Sequence, residues 1–188
     1  MLRRRRPDVV ATYEPGGGYG HPDHVRVHEV TTRAVALAAT APDEGAAAHT
    51  VPVGLWSAQG SDALRRAQAA LAGGAVRAAL GPDGAGLALP DPAQEPASVA
   101  VPDDAVDVVV DVAPVRERVL AALRAHATQV QAVRAVDGEP ALVGCYALSN
   151  RLLAPVLPVE SYRHAPAARV RTPPAPRRRS PGPPVRGR

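Results

Sequence analysis

The chain has 188 residues, enough for one domain with a sizeable core; with 22 Arg, no Lys, four Tyr, one Trp and no Phe, that core must be built from Val, Leu and Ala. Seven of the Arg fall in residues 164–188, which hold no acid, leaving 15 basic against 18 acidic groups and a net −3 over residues 1–163, so the formal +4 of the whole chain does not describe a basic, nucleic-acid-binding body. A single cysteine excludes an internal disulfide framework, no apolar run approaches the ~20 residues that span a bilayer, and the "LRRRR" after Met1 is not followed by a signal-type apolar stretch, so a cytoplasmic protein without membrane segments is expected.

In chain order, "PDVVATYE" (Pro7 to Glu14) reads as a short strand that stops at Pro15 and three glycines. Pro22 and Asp23 carry helix-start chemistry, and Val27, Val30, Ala34 and Leu37 recur on one face, predicting a helix from about Asp23 to Ala39. "HTVPVGLWSA" (His49 to Ala58) reads as a second strand near an edge because of Pro52, and "SDALRRAQAALAGG" as a short helix with Ser61 or Asp62 as cap and Gly73 as stop. Residues 81–98 lack periodicity and read as a long surface loop. "AVDVVVDV" (Ala105 to Val112) reads as a strand. Pro114 then opens a helix with Val119, Leu123, Ala127 and Val130 along one stripe, and "ALVGCYAL" (Ala141 to Leu148) is a closing strand. From His164 onward seven Pro and seven Arg among 25 residues cannot bury enough apolar surface to offset the entropy of ordering, so residues 164–188 are expected to be a disordered tail. That tail would bind phosphate only nonspecifically, since it has no aromatics to stack on bases; no specific nucleic-acid partner is expected.

Strands alternating with helices imply an α/β protein: a partial Rossmann-like layer architecture with a mostly parallel sheet, about half of a doubly wound domain. In such a sheet ligands collect at the carboxyl ends of strands, and "GGGYGHPDH" (Gly16 to His24) directly follows one. Its glycines permit close approach of backbone to a ligand. His21 or His24 could face a metal or a substrate, and Asp23 could orient an imidazole. A surface histidine pair is the plain alternative; a phosphate-cradling loop finds no support, because neither G-x-x-x-x-G-K-[ST] nor G-x-G-x-x-G is present.

At these residues the sequence resembles the LmbE/PIG-L family of metal-dependent N-acetylglucosamine deacetylases, most closely the branch acting on N-acetylglucosaminyl-inositol in mycothiol biosynthesis. The resemblance runs through "RPDVVATYEPGGGYGHPDHVRVHEVTTRAV" (Arg6 to Val35), resumes at "VLAALRAHATQV" (Val119 to Val130) and again at "CYALSNRLLAPVLPVESYR" (Cys145 to Arg163), in the family's order. It implies a zinc-dependent amide hydrolase, with residues 1–163 as the C-terminal part of its domain. By resemblance His24 would be a Zn(2+) ligand, His21 would stabilise the oxyanion or protonate the leaving amine, Asp23 would tune and orient His21, and Tyr19 would lie beside the same oxyanion. The implied substrate is a small amino-sugar inositol. A sister activity, amidase cleavage of mycothiol conjugates, uses similar machinery, and a non-catalytic fragment or binding module is the reading from another class. His28, one turn after His24, is expected to pack or support rather than ligate. His126 is expected to be structural and Cys145 an inert core thiol.

The family's A-H-P-D-D motif, which would supply two further ligands and the general base, does not occur in the 188 residues. "PDD" at Pro102 to Asp104 lacks the preceding His and follows the H-P-D-H segment, so it reads as a turn. In the family several strands and helices precede the position of Arg6. The chain is therefore expected to correspond to a C-terminal half that lacks the N-terminal strands and is inactive alone; a separate chain carrying the other half would be its partner.

Overall fold

The computed structural model describes residues 1–40, 47–91, 93–94 and 97–166. A single turn, α1 (Leu2–Arg5), precedes β1 (Val9–Thr12), and the glycine run follows as a broken turn, α2 (Gly17–Gly20). The long helix α3 (Pro22–Ala38) leads to β2 (Val53–Ser57) and the two-residue β3 (Gln59–Gly60). Two helices, α4 (Ser61–Ala70) and α5 (Gly74–Leu80), come next, then β4 (Ala100–Val101) and β5 (Val108–Asp111). The chain ends with α6 (Arg116–Ala125) and four strands: β6 (Val130–Ala135), β7 (Gly144–Leu148), β8 (Leu153–Val156) and β9 (Val159–His164).

The main sheet has the order β1-β2-β9-β5. β1 and β2 are parallel, and β9 is antiparallel to both β2 and β5, so three of the four strands share one direction, as a partial Rossmann-like sheet requires. β3 and β4 form a separate parallel pair. The second larger sheet, β6-β7-β8, is wholly antiparallel, which the alternation of strands and helices did not foretell. Its last strand was hidden in the sequence by Pro155. That proline is tolerated because, among the described residues, the only named strand that β8 pairs with is β7; its outer edge meets only Ala88, through the Leu153 N–H, and the outer N–H row of such an edge needs no full ladder.

Several boundaries move. Val130 starts β6 instead of extending a helix: α6 stops at Ala125, and the His126 carbonyl accepts from the N–H groups of Gln129 and Val130. Gly73 is the N-cap of α5 and not the stop of α4, which ends at Ala70 with Leu71 as its C-cap. Neither Ser61 nor Asp62 caps α4 through its side chain; the Asp103 carboxylate does so from the "PDD" turn, accepting from the Asp62 N–H at 3.0 Å. Within residues 81–98, Ala85, Gly86 and Ala88 are pinned. Ala88 and Leu152 form a β-bridge, and the Arg151 guanidinium donates to the Ala85 and Gly86 carbonyls, both at 3.0 Å. His164 belongs to β9 rather than to the tail, and Ala165 donates its N–H to Gly54. Residues 167–188, the rest of the expected tail, lie outside the described residues.

The packed core is drawn from α4 onward. Ala67, Leu71, Val76 and Leu80 from the α4–α5 pair bury against Leu142, Cys145, Ala147 and Leu153, and Leu120 of α6 packs on Val133 and Val156. At about 1.5–3 kcal/mol per fully buried large aliphatic side chain, this layer carries most of the apolar stabilisation. Around the main sheet the situation differs. The α3 stripe foreseen from the sequence is not buried: Val27 is 46%, Val30 52% and Leu37 51% exposed. The sheet instead meets the other flank of α3, leaving a cavity of about 500 Å³ bordered by Val10, Thr31, Val35, Leu55 and Trp56. Among the described residues no helix is long and apolar enough to cross a membrane.

Candidate active site

β1 delivers the chain to the glycine run at its carboxyl end, and α3 takes it away. Tyr13 and Glu14 lie on one side of the loop, His21 and His24 on the other. The loop is held shut by an acid. Glu14 Oε1 accepts from the Gly18 N–H at 2.5 Å and from Ser98 Oγ at 3.0 Å, while Oε2 accepts from the Gly16 N–H. Ser98 Oγ also lies 2.9 Å from the Gly18 carbonyl, which accepts in addition from the Val99 N–H at 3.0 Å. Glu14 and Ser98 were not singled out from the sequence. An acid two residues before a glycine run was a usable signal for Glu14; Ser98 is 84 residues away and left none.

Inside this loop three of the four residues assigned from the sequence come together. The rings of His21 and His24 have centroids 4.9 Å apart, and Tyr19 meets them edge-on at 5.8 and 5.3 Å. The fourth, Asp23, turns outward: its side chain is 89% exposed and its carboxylate is 3.9 Å from His21 Nδ1. The orienting contact to His21 comes from the Asp23 backbone, whose N–H donates to His21 Nδ1 at 3.2 Å, making His21 the N-cap of α3. Asp23 therefore orients the imidazole through its main chain, and its carboxylate acts on it only through charge.

The two imidazoles are held as opposite tautomers. His21 Nδ1 accepts, so in the neutral ring the proton is on Nε2 and that atom can donate. His24 Nδ1 faces the Gly17 carbonyl at 3.2 Å and must donate to it, leaving the Nε2 lone pair free. A nitrogen donor whose partner N–H is tied to a backbone carbonyl is the usual arrangement for a metal-ligating histidine. The face of His24 is covered by Tyr13, stacked at 4.0 Å and 4°. His28 donates from Nδ1 to the Tyr13 carbonyl, 2.8 Å away, and packs edge-on against Trp56 at 5.2 Å, the supporting role expected of it.

Beyond the loop, the Tyr146 phenol of β7 is pushed above its usual range by burial and then by the neighbouring Tyr19 phenol. Cys145 is fully buried, and burial pushes its thiol up to about 11, so it is an unreactive core group. His126 lies at the end of α6, where its backbone makes the turn.

Tetrahedral zinc in a catalytic site takes about three protein ligands. Among the described residues no group of three or more His, Cys, Asp or Glu side chains is placed to hold a metal ion. His24 offers one free nitrogen, and the outward Asp23 offers no second donor beside it. The residues present do not by themselves fit the ion.

No protein-family model matches the chain. Curated proteins do. It is 45% identical over 170 residues to a protein of Kineococcus radiotolerans named 1D-myo-inositol 2-acetamido-2-deoxy-alpha-D-glucopyranoside deacetylase, covering 87% of this chain and 42% of that protein. A Nocardia farcinica protein of the same name is 46% identical over 86% of this chain and 49% of its own length, and one from Saccharopolyspora erythraea is 41% identical over 86% and 46%. The chain spans about half the length of these relatives, and the part matched is their C-terminal half. By sequence, the chain is a relative of the C-terminal half of the 1D-myo-inositol 2-acetamido-2-deoxy-alpha-D-glucopyranoside deacetylases.

Proposed function

We propose that these residues form one wall of a deacetylase site that removes acetyl from an N-acetylglucosaminyl-inositol, in mycothiol biosynthesis in the cytoplasm. The observation that carries this reading is the pair of opposite tautomers: a donor at His21 Nε2 and an acceptor at His24 Nε2, on rings 4.9 Å apart at the carboxyl end of a strand. Hydrolysis of an acetamide forms a bond from water oxygen to the carbonyl carbon, breaks the C–N bond and delivers a proton to the departing amine. His21 Nε2–H has the polarity to stabilise the developing oxyanion or to supply that proton, and Tyr19, whose ring meets that of His21 edge-on, would supply a second donor.

His24 Nε2 is the one atom here suited to ligate Zn(2+). Because the rest of a donor set is not among the described residues, no step is assigned to the ion, and the chain by itself is inactive in this reading. The other donors and the general base belong to polypeptide corresponding to the half of the relatives not matched here.

Two measurements test the reading. Zinc titrated calorimetrically into the purified chain should give no tight one-to-one isotherm, and the chain with zinc should release no acetate from N-acetylglucosaminyl-inositol above background. In a protein in which the Nocardia farcinica relative's N-terminal half precedes residues 6–166, deacetylation is expected, and His21→Ala should lower kcat by ~10²-fold or more with little change in KM. Enzymatic turnover by the chain alone, or an unaffected His21→Ala, would refute the assignment. Faster cleavage of a mycothiol conjugate than of the acetylated sugar would transfer it to the amidase.

A further inference from the structure

We infer that Glu14 is a positioning residue for His24: its carboxylate fixes the peptide group between Gly17 and Gly18, and that peptide group fixes which nitrogen of the His24 ring carries the proton.

A single peptide unit joins the two side chains. The Gly18 N–H donates to Glu14 Oε1 at 2.5 Å, and the carbonyl of the same unit, that of Gly17, accepts from His24 Nδ1 at 3.2 Å. A trans peptide is planar, with its N–H and C=O on opposite sides, so a partner that fixes the direction of one fixes the other. The unit lies between two glycines, both at positive φ (+70° and +76°), where backbone rotation meets no Cβ. Its orientation therefore has to come from its partners.

Glu14 supplies that restraint. Its Oε2 accepts from the Gly16 N–H, and its own carbonyl accepts from the Gly17 N–H at 3.0 Å, so three successive glycine amides converge on one residue. Successive amides of this kind form a concavity for an anion, and here the anion is the chain's own carboxylate. Bonds from backbone N–H to a carboxylate are roughly twice as strong as neutral ones. Ser98 Oγ lies 3.0 Å from Glu14 Oε1 and closes the far side. A Cβ at Gly16 would sit 2.5 Å from that Oγ and 2.9 Å from Oε2, so the clamp closes only on glycine.

What the restraint decides is the sense of the ring. Tyr13 covers the face of His24 with the planes 4° apart, which fixes the plane of the imidazole; a half-turn about Cβ–Cγ preserves the stack and exchanges Nδ1 with a carbon. The Gly17 carbonyl distinguishes the two senses. With that carbonyl held in place, Nδ1 carries the proton and Nε2 keeps its lone pair. Carboxylate, peptide and imidazole thus form one hydrogen-bonded series in which each bond polarises the next. The dependence of the proposed deacetylation on Glu14 rests on the reading of His24 given above; the tautomer does not.

Long-range proton–nitrogen NMR on the isotope-labelled, metal-free chain, at about pH 8.5 where an ordinary imidazole is neutral, reads each tautomer. His24 should show a protonated Nδ1 and a bare Nε2. Glu14→Ala should replace that single pattern by a mixture of both tautomers, while His28, bonded to the Tyr13 carbonyl, keeps its own pattern and reports that the loop still packs on α3. Glu14→Gln, whose amide oxygen can take the place of Oε1, should restore the parent pattern in larger part. A scalar coupling across the hydrogen bond from the Gly18 amide nitrogen to the Glu14 carboxylate carbon, measured on the parent chain, decides the matter if Glu14→Ala does not fold, and it should be present. A bare Nδ1 in the parent, absence of that coupling, an unchanged His24 pattern in folded Glu14→Ala, or a Gln variant as mixed as the Ala variant would each overturn the inference. In the fusion with the Nocardia farcinica N-terminal half, Glu14→Ala should lower kcat about tenfold or more with little change in KM, and Glu14→Gln less. A His24 tautomer that follows Glu14 beside a fusion that never deacetylates would keep the positioning role and refute the proposed reaction. Deacetylation that Glu14→Ala leaves at the parent rate, with the tautomer unmoved, would keep the reaction and refute the positioning role.

Discussion

The imidazole of His24 lies flat on the ring of Tyr13, with centroids 4.0 Å apart and planes within 4° of parallel. The same Tyr13 gives its backbone carbonyl to His28, so one residue at the end of β1 fixes the first two turns of α3. Aromatic stacking contributes about 0.5–1.5 kcal/mol beyond area burial. Tyr13→Ala is therefore expected to lower the unfolding free energy by ~1–3 kcal/mol, and Tyr13→Phe, which keeps the ring, by less than ~0.5 kcal/mol. Urea denaturation of both variants decides; a Phe variant as unstable as the Ala variant would show that the stack is not what holds the ring.

The glycines of the loop are not equivalent. Gly17 has φ +70°, and a Cβ there would sit 2.7 Å from both the Val25 N and its Cγ2, whereas Gly20 at φ +84° has nothing within 4 Å. Alanine at Gly20 meets only the left-handed backbone penalty of ~1–2 kcal/mol. At Gly17 the same change must also displace the backbone of α3. Thermal unfolding of the two variants should place Gly17→Ala below Gly20→Ala by several degrees, and the reverse order would contradict the packing described.

Glu14 satisfies two backbone N–H groups and the Ser98 hydroxyl together. Glu14→Ala leaves the Gly16 and Gly18 N–H groups without their acceptor, at a cost of ~1–3 kcal/mol, while the Ser98 hydroxyl keeps the Gly18 carbonyl. Glu14→Gln keeps one carbonyl oxygen and should lose less. Limited proteolysis gives a local readout: cleavage between residues 14 and 21 is expected to appear in the Ala variant and to remain weak in the Gln variant. An Ala variant as resistant as the parent would remove Glu14 from the role of clamp.

Cys145 supplies a pH dependence. Its thiol rises from about 9.0 to about 11 because burial disfavours the thiolate. The folded protein thus holds its proton where the unfolded chain has lost it. Since the native state then binds more protons than the unfolded state, stability falls as pH rises from about 9 to about 11, by up to ~2–3 kcal/mol. Cys145→Ala should flatten that slope in urea titrations at pH 8, 9, 10 and 11, and an unchanged slope would mean that other groups produce it.

The loop and its chemistry were legible in the sequence because they are local. Tyr19, His21 and His24 lie within six residues, between a strand and a helix that both announce themselves, and short-range geometry alone brings their rings together. The helical stripe of α3 was also legible as a pattern, but not its direction. Periodicity states that one face is apolar; it does not state which layer that face meets. β8 and β9 were illegible for a different reason, since Pro155 and Pro158 break the strand pattern and only edge pairing and an antiparallel return make those segments strands.

By itself, then, the amino-acid sequence determined the order of the main elements, the glycine turn, the candidate histidines and the kinship with half of a deacetylase, all of which depend on neighbours along the chain. Only the tertiary structure decided the tautomers of His21 and His24, the outward turn of Asp23, the clamp from Glu14 to Ser98 and the exposure of Val30 and Leu37. Those features depend on which backbone groups and layers are brought together from distant positions, and hydrogen bonding and burial are settled by that encounter rather than by residue type.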